Sequence, residues 1–398
     1  VSQLISKISN DGIFSAYESV QSKLGKPIPL GYSNVGKIIK VGSQVNNFKI
    51  GDRVISNGGH AEYVCVSKSL CCLVPNTVSD QDAVFTVLSS IALQGIRLLN
   101  PTFGEKIVVS GLGVIGLLTV QILLANGVIV YAIDPEEHRC KIASNFGADV
   151  FHLKKDSNPE KFFNYKTLNN GVDGVILTCA TKSSSPLNLA SNICRQRGRI
   201  ILVGTCDINI KRELFYKKEL NFQVSCSYGP GRYNKSYEND CNDFPFGFVR
   251  WTENRNFDAI LSSIKRGIFK PAKLISHTFD FESYESAYKL ISSDINCLGI
   301  ILDYKPNNEI KNNNGKEIIE ISSKVNNLKK TIYSDNEAKQ QFNPSVGFIG
   351  AGNFASRFLI PSFNKNKITL NTICANSGLN SHSIYKKFNF LNITTNPN

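Results

Sequence analysis

Methionine is absent from this chain of 398 residues, tryptophan occurs once, and histidine occurs five times. Because no initiator methionine is present, we expect that Val1 is not the natural start of the protein. No apolar run reaches the ~18 residues that a membrane-spanning helix needs, so no membrane partner is expected. The first residues offer neither a basic segment nor an apolar core, so no secretory signal is visible.

The eleven cysteines include no C-x-x-C pair. In a chain of this length without a secretory signal, they are best interpreted as reduced, buried thiols rather than as a disulfide framework. The adjacent pair Cys71 and Cys72 is expected on a strand, where neighbouring side chains point to opposite faces. This cysteine usage predicts a cytoplasmic protein.

Acidic residues are scarce relative to basic ones: 32 against 45, for a net charge of +13. The lysines are scattered and do not form a patch, so nucleic acid is not expected as a partner. A hydrophobic content of 42% is ordinary for globular protein, and the length fits two or three domains.

Two glycine-rich turns each follow a short apolar run and precede a predicted helix. Such a turn places a helix N-terminus against a pyrophosphate and is typical of dinucleotide binding. We therefore predict cofactor contacts from Gly111, Leu112, Gly113, Val114, Ile115 and Gly116 in the first turn, and from Gly350, Gly352 and Ala355 in the second.

The strand after the first turn ends at Asp134, eighteen residues beyond Gly116. A carboxylate here accepts both ribose hydroxyls and repels a 2′-phosphate, which favours NAD over NADP. Arg139, one turn further on, leaves NADP possible. The strand that follows the second turn is succeeded by Ala375-Asn376-Ser377 and not by an acidic residue, so this second site could bind either NAD or NADP.

Residues 106–226 alternate between predicted strands and helices, which indicates an α/β fold with a doubly wound parallel sheet. The strands are expected at 106–110, 128–133, 149–153, 173–178, 199–203 and 221–226, and the helices at 114–126, 135–146 and 185–196. Ligands of such sheets bind at the carboxyl ends of the strands, so Thr178 and Val203 are expected to line the cofactor.

The flanking segments have other patterns. Short strands are predicted at 35–42 and 61–66, and residues 48–55 are a turn that leads into another strand. A helix is predicted at 80–99, and a second helix has Thr252 as its N-cap. We predict five segments: a partial β-rich catalytic domain (1–98), the nucleotide-binding domain (99–227), a return to the first domain (228–304), a linker (305–343), and the start of a second nucleotide-binding domain (344–398). The last has ~55 residues where ~100 are usual, so we expect it to be incomplete.

The order of motifs resembles a known family. Gly51-Asp52-Arg53-Val54 and His60-Ala61-Glu62-Tyr63-Val64, followed by the nucleotide-binding pattern and a return, resemble the medium-chain dehydrogenase/reductase superfamily over about residues 26–304. The resemblance implies a GroES-like catalytic domain beside a Rossmann domain, an alcohol dehydrogenase-like enzyme, and a homo-oligomer of unspecified order.

The second turn, from Val346 to Ala355, resembles the Gfo/Idh/MocA sugar-dehydrogenase family. The stretches 227–233 and 247–253 resemble bi-domain oxidoreductases that fuse the two families. These resemblances imply an NAD(P)-dependent oxidoreductase that transfers hydride to or from a sugar or polyol. In the Gfo/Idh/MocA family a catalytic lysine follows much later than Asn398, so this chain is not expected to perform the second unit's chemistry alone.

Zinc-dependent members of the superfamily carry Gly-His-Glu where this chain has Gly31-Tyr32-Ser33, and residues 73–139 contain no cysteine. Catalytic zinc needs about three protein ligands, so we expect no metal site. Two alternatives stay open: a zinc-dependent alcohol dehydrogenase with ligands upstream of Val1, and a module that binds NAD(H) without turnover.

Without zinc, a side chain has to handle the proton that accompanies hydride transfer. Tyr32 is the candidate donor, Ser33 a relay, and Arg232 a fork for substrate oxygens. Arg250 and Trp251 are expected to add a stacking face for a sugar ring. For Arg232 and for His60, a structural role remains an equal or better alternative.

Overall fold

The computed structural model describes residues 30–156, 158–304, 344–366, 368–375 and 378–395. These residues fall into two compact units, one spanning Leu30–Pro306 and the other containing the described residues from 344 onwards. The predicted linker 305–343 lies outside the described residues. None of the helices in the described ranges is long and apolar enough to cross a bilayer.

The first unit begins with a small antiparallel sheet, ordered β1-β2-β3, of β1 (Asn34–Lys37), β2 (Arg53–Ser56) and β3 (Cys71–Leu73). The strand predicted at 61–66 is wrong. That segment is irregular, and Tyr63 and Val64 are 51% and 40% exposed, because no strand in the described residues pairs with it. Alternation of apolar residues predicts a strand only where a partner strand and a core face exist.

The helix predicted at 80–99 is present as α1 (Asp80–Ala83) and α2 (Thr86–Leu99). The Ser79 hydroxyl caps α1 by accepting the Asp82 N–H at 3.1 Å. Most of α2 is buried, including Val87, Ala92 and Leu99, so this helix connects the small sheet to the core of the larger one.

The larger sheet confirms the doubly wound prediction. Six parallel strands are ordered β6-β5-β4-β7-β8-β9, which is the arrangement of dinucleotide-binding domains. Their bounds are Lys106–Ser110 (β4), Ile129–Asp134 (β5), Asp149–His152 (β6), Val172–Leu177 (β7), Cys194–Leu202 (β8) and Asn221–Val224 (β9).

Helices cover both faces of this sheet: α3 (Val114–Ala125), α4 (Glu137–Phe146), α5 (Pro159–Lys166), α6 (Ser185–Ile193) and α7 (Arg212–Lys218). In β4, Ile107 and Val109 belong to one apolar cluster and Val108 to the other, so the strand is buried on both sides. The sequence did not predict α5 and α7, which are short.

The chain then returns through α8 (Lys235–Glu238), α9 (Glu253–Lys265), β10 (Ile275–Asp280), α10 (Tyr284–Ser293) and β11 (Gly299–Asp303). Thr252 is the N-cap of α9, as predicted, and its hydroxyl accepts the Arg255 N–H at 3.4 Å. The apolar face of α9 is buried at Phe257, Ile260 and Leu261.

The second unit has three parallel strands in chain order, β12 (Ser345–Ile349), β13 (Thr369–Cys374) and β14 (Asn392–Thr394). A π-helical turn at Ala355–Leu359 leads into α11 (Ile360–Lys365), and α12 (Gly378–Phe388) precedes β14. This βαβαβ pattern is that of one half of a dinucleotide-binding fold.

Candidate active site

The first glycine turn joins β4 to α3. Gly111 has φ 97°, in the region that favours glycine, and its N–H donates to the Ile133 carbonyl at 2.9 Å. A Cβ on Gly116 would lie 1.9 Å from the Gly111 oxygen, whereas a Cβ on Gly113 would meet nothing within 4 Å. The turn therefore needs Gly111 and Gly116 for its own packing, and Gly113 leaves open the space where a pyrophosphate is predicted to approach α3.

Asp134 fastens this turn to the end of β5. Its Oδ2 accepts the Leu112 N–H at 2.6 Å, its Oδ1 accepts the Glu136 N–H at 2.8 Å, and the residue is 3% exposed. A carboxylate has about four acceptor sites, and these main-chain bonds use two of them. Arg139 donates from Nη2 to the Ile295 carbonyl at 3.2 Å.

Thr178 and Val203 follow directly after β7 and β8, at the carboxyl edge of the sheet. The Thr178 hydroxyl donates to the Gly111 carbonyl at 2.6 Å, so it clamps the glycine turn from the neighbouring strand. Val203 packs against α2, since a Cβ on Gly95 would lie 2.4 Å from its Cγ2. In the remaining turn residues, Leu112 is fully buried and Val114 and Ile115 are half-buried.

Tyr32 and Ser33 lie just before β1. Tyr32 is 50% exposed. The Ser33 hydroxyl donates to the Val84 carbonyl, between α1 and α2. This bond commits its proton to the main chain, and Ser33 can take part in a proton relay only by giving it up.

The ring of His60 packs on Gly31, where a Cβ would lie 2.1 Å from His60 Cδ2. Its Nδ1 lies 2.6 Å from the Tyr288 hydroxyl oxygen, on α10. Burial lowers the pKa of His60, which favours the neutral imidazole. Burial raises the pKa of Tyr288. Nothing in the sequence signals Tyr288, because it is 228 positions from His60 and lies in an ordinary amphipathic helix.

The loop after β9 meets the loop of His60. The Asn57 side-chain amide donates to the Tyr228 hydroxyl at 3.3 Å, and Tyr228 is only 2% exposed. This contact brings the β-rich part of the unit to the carboxyl edge of the six-stranded sheet. Tyr228 belongs to the main apolar core of the unit, so the contact ties the β-rich part to that core.

Arg232, predicted as a substrate fork, is held internally. Its Nη1 pairs with Glu238 Oε1 at 2.5 Å, and its guanidinium lies 4.2 Å from the centroid of the Tyr233 ring. Of the two interpretations that the sequence left open, these contacts favour an arginine that fixes the loop. A substrate role would require the ion pair to open.

Glu253, which sequence reasoning missed, lies beside this pair. It is fully buried, and within the described residues neither carboxylate oxygen has a hydrogen-bond partner. Burial, reinforced by the charge of Glu238, raises the pKa of Glu253 to about 8, although Arg232 opposes the shift. The position, N1 of α9 after a threonine cap, predicts an exposed acid, and only the tertiary packing reveals that it is buried.

The stacking face expected from Trp251 is already occupied. The guanidinium carbons of Arg97 and Arg250 lie 3.3 and 3.7 Å from its ring centroid. With both groups on the indole, the expectation of a free platform for a sugar ring is wrong. Arg250 also lies over the Phe246 ring, at 4.6 Å.

Within the described ranges, no group of three or more His, Cys, Asp or Glu side chains is arranged to hold a metal ion. All eleven cysteines are free thiols; Cys140 and Cys194 are buried, whereas Cys65 and Cys226 are exposed. Residues 1–29, where further ligands could be sought, lie outside the described residues.

The second glycine turn has an open surface. Gly350 has φ 110°, and its N–H donates to the Cys374 carbonyl at 2.7 Å. A Cβ on Gly350 or Gly352 would meet nothing within 4 Å, and Ala355 is half-buried at the start of the π-helical turn. Of the three residues after β13, only Ala375 is described.

Two family models match the chain. Residues 10–76 match the alcohol dehydrogenase GroES-like domain, and residues 114–239 match the zinc-binding dehydrogenase family. The chain thus has an α/β fold with a GroES-like N-terminal domain and a Rossmann-like parallel sheet. This confirms the predicted fold class and the alcohol dehydrogenase-like part of the family resemblance. Both matched ranges end before residue 240.

Among curated relatives, (R,R)-butanediol dehydrogenase of Bacillus subtilis (strain 168) is 29% identical over 32% of this chain and 45% of its own length. D-guloside 3-dehydrogenase of Escherichia coli (strain K12) is 33% identical over 37% of this chain and 44% of its own length. The matched region therefore spans less than half of either relative.

Solved structures agree on the fold. 2R,3R-butanediol dehydrogenase from Bacillus subtilis superposes with a TM-score of 0.57 at 22% identity, covering 69% of this chain and 80% of the other. Galactitol-1-phosphate dehydrogenase from Escherichia coli superposes with a TM-score of 0.59 at 21% identity, covering 69% of this chain and 84% of the other.

Proposed function

We propose that this chain is an NAD(P)-dependent oxidoreductase that moves a hydride between a nicotinamide and the CH–OH carbon of a sugar or polyol. The observation that carries the proposal is the glycine turn of Gly111–Gly116, held by Asp134 and Thr178 at the carboxyl edge of a doubly wound sheet. The relatives named above act, by their names, on a diol and on a sugar derivative, which supports the substrate class.

The residues present fit a dinucleotide. Gly113 and the N-terminus of α3 would hold its pyrophosphate, and the two free acceptor sites of Asp134 would hold a ribose, preferably that of NAD. Val203 would line the nicotinamide side. When bound, the nicotinamide supplies the carbon that gives or takes the hydride.

We assign the accompanying proton to Tyr32, which lies half-exposed just before β1. His60 is neutral because burial lowers its pKa, so it is able to accept a proton near neutral pH. In this proposal Ser33 and Arg232 each fix the loop that carries them, Ser33 through the Val84 carbonyl and Arg232 through Glu238.

We propose that the first unit works without zinc, because a tyrosine stands at one expected ligand position and no cysteine lies between residues 73 and 139. The match to a zinc-binding dehydrogenase model favours the competing view of a zinc enzyme. A third view, an NAD(H)-binding module without turnover, keeps the same cofactor contacts.

We further propose that residues 344–398 begin a Gfo/Idh/MocA-like nucleotide-binding domain, in line with their βαβαβ order and open glycine turn. The proposal includes the five segments predicted from the sequence, with bounds 1–98, 99–227, 228–304, 305–343 and 344–398. The free thiols support a cytoplasmic location and the resemblance supports a homo-oligomer.

The test follows NADH absorbance with a panel of polyols and sugars, together with calorimetric titration of NAD. The proposal expects NAD binding and turnover of at least one polyol, both unchanged after dialysis against a zinc chelator. Activity that disappears with the chelator and returns with zinc would establish the zinc enzyme. NAD binding without turnover of any compound in the panel would favour the NAD(H)-binding module that lacks catalytic activity.

A further inference from the structure

A cavity of about 420 Å³ runs along α9. It is lined by Arg250, Trp251, Arg255, Asp258 and Arg266, together with Phe246 and the hydroxyl-bearing Ser262 and Ser263. None of these residues belongs to the proposed cofactor or proton-handling site. The function of this cavity is therefore a separate question.

The lining is basic: three guanidinium groups face one carboxylate, that of Asp258. Arg255 is committed, because it pairs with Asp243 and donates to the Phe244 carbonyl at 3.0 Å. Within the described residues, neither Arg250 nor Arg266 makes an ion pair. Two forked cations thus border the cavity without an ion-pair partner among the residues that the structure describes.

A fourth arginine, Arg97, contacts the Trp251 ring that lines the cavity. Arg97 lies over the same Trp251 ring as Arg250, and its Nε donates to the Asn256 side-chain oxygen at 2.8 Å. Burial and the nearby charge of Arg250 lower the pKa of Arg97 to about 10. Two like charges on one ring oppose each other, and an anion in the cavity would offset that repulsion.

We propose that this cavity is an oxyanion site that takes a phosphate group through Arg250 and Arg266, with Trp251 as its wall. The planar guanidinium fork matches two oxygens of a phosphate, and the Ser262 and Ser263 hydroxyls are further donors at the same wall. The phosphate can be the free ion or the terminal group of a small phosphomonoester, since both present the same oxygens.

Trp251 makes the site directly observable, because it is the sole tryptophan of the chain. Inorganic phosphate is titrated into the full chain at constant ionic strength, and tryptophan emission is followed. A saturable change is expected with phosphate and none with chloride. A second titration with glycerol phosphate separates the sources: tighter binding than inorganic phosphate assigns the site to an ester, and equal binding assigns it to the phosphate group alone.

Arg266→Gln removes one cation without touching the reporter ring, and we expect it to weaken phosphate binding at least tenfold. Arg250→Gln should abolish the response. Arg212→Gln is the matched control, because Arg212 stacks on Tyr216 in α7, outside the cavity, with its guanidinium 4.9 Å from the ring centroid. Arg212→Gln should titrate like the parent. The proposal would be overturned if phosphate gave the same linear response as chloride, or if Arg266→Gln bound phosphate as tightly as Arg212→Gln does.

Discussion

His60 and Tyr288 are joined across 228 residues of sequence by a contact of 2.6 Å between Nδ1 and the phenolic oxygen. The contact ties the loop that packs on Gly31, next to Tyr32, to α10. The Tyr288 hydroxyl hydrogen-bonds the His60 ring, which also packs on Gly31, and so helps to orient the imidazole. The pair therefore positions the proposed proton acceptor.

Tyr288→Phe keeps the ring and removes the hydroxyl, so the orientation of His60 is no longer fixed. We expect kcat to fall roughly 10- to 100-fold, less than the ~10²–10⁴-fold that a general acid or base itself contributes, because Tyr288 only orients the imidazole, while KM for NAD stays unchanged. The pH profile of kcat is the deciding measurement, because a change in its acid limb reports the imidazole. Tyr284→Phe, on the same helix, is the control; equal losses in both variants would contradict the assignment.

The lowered pKa of His60 also predicts how stability depends on pH. The unfolded imidazole has an ordinary pKa near 6.5 and binds its proton at a higher pH than the folded one. Stability is therefore fully present above about pH 6.5 and falls as the pH drops through the folded pKa. Denaturant unfolding between pH 7.5 and 5 should show this fall, and His60→Gln should flatten it. An identical slope in the variant would show that other groups are responsible.

The glycine turn predicts two different outcomes for two similar changes. Gly116→Ala forces a Cβ to within 1.9 Å of the Gly111 oxygen, so we expect a stability loss of about 2–4 kcal/mol and no NAD binding. Gly113→Ala meets no protein atom, so its melting temperature should stay near the parent's while NAD affinity drops at least tenfold. Gly36→Ala, also free of contacts, is the control for both measurements.

How much the sequence could predict depended on the range of the interactions. Local patterns located the strand, turn and helix around Gly111, the six parallel strands, and the Thr252 cap, because each depends on neighbours within a few residues. The strand predicted around Tyr63 and Val64 is absent, because strand formation depends on pairing with a strand that is distant in the sequence. For the same reason the Arg97–Trp251 stack and the buried Glu253 were out of reach.

Asp134 is expected to act on both the turn and the cofactor. Asp134→Asn replaces the charge-assisted bond to the Leu112 N–H with a neutral one, which should cost about 1–2 kcal/mol of stability. It also removes the repulsion against a 2′-phosphate, so the NADP-to-NAD ratio of kcat/KM should rise. Asp149→Asn, on the neighbouring strand, has no such role and should leave the ratio unchanged. A fixed ratio in Asp134→Asn would mean that another group selects the cofactor.

Glu253 is fully buried and has a pKa raised to about 8, against an ordinary 4.5. A folded carboxyl with a raised pKa binds its proton more tightly than the unfolded one, so its contribution to stability is present at low pH and is lost as the pH rises from about 4.5 to about 8. Glu253→Gln keeps the shape of the neutral acid and does not titrate. The variant should therefore match the parent near pH 5 and exceed it at pH 8.5, by on the order of 1–3 kcal/mol. Glu213→Gln, on the exposed face of α7, is the control. A parent that is no less stable than Glu253→Gln at pH 8.5 would show that Arg232 already compensates the ionised carboxylate.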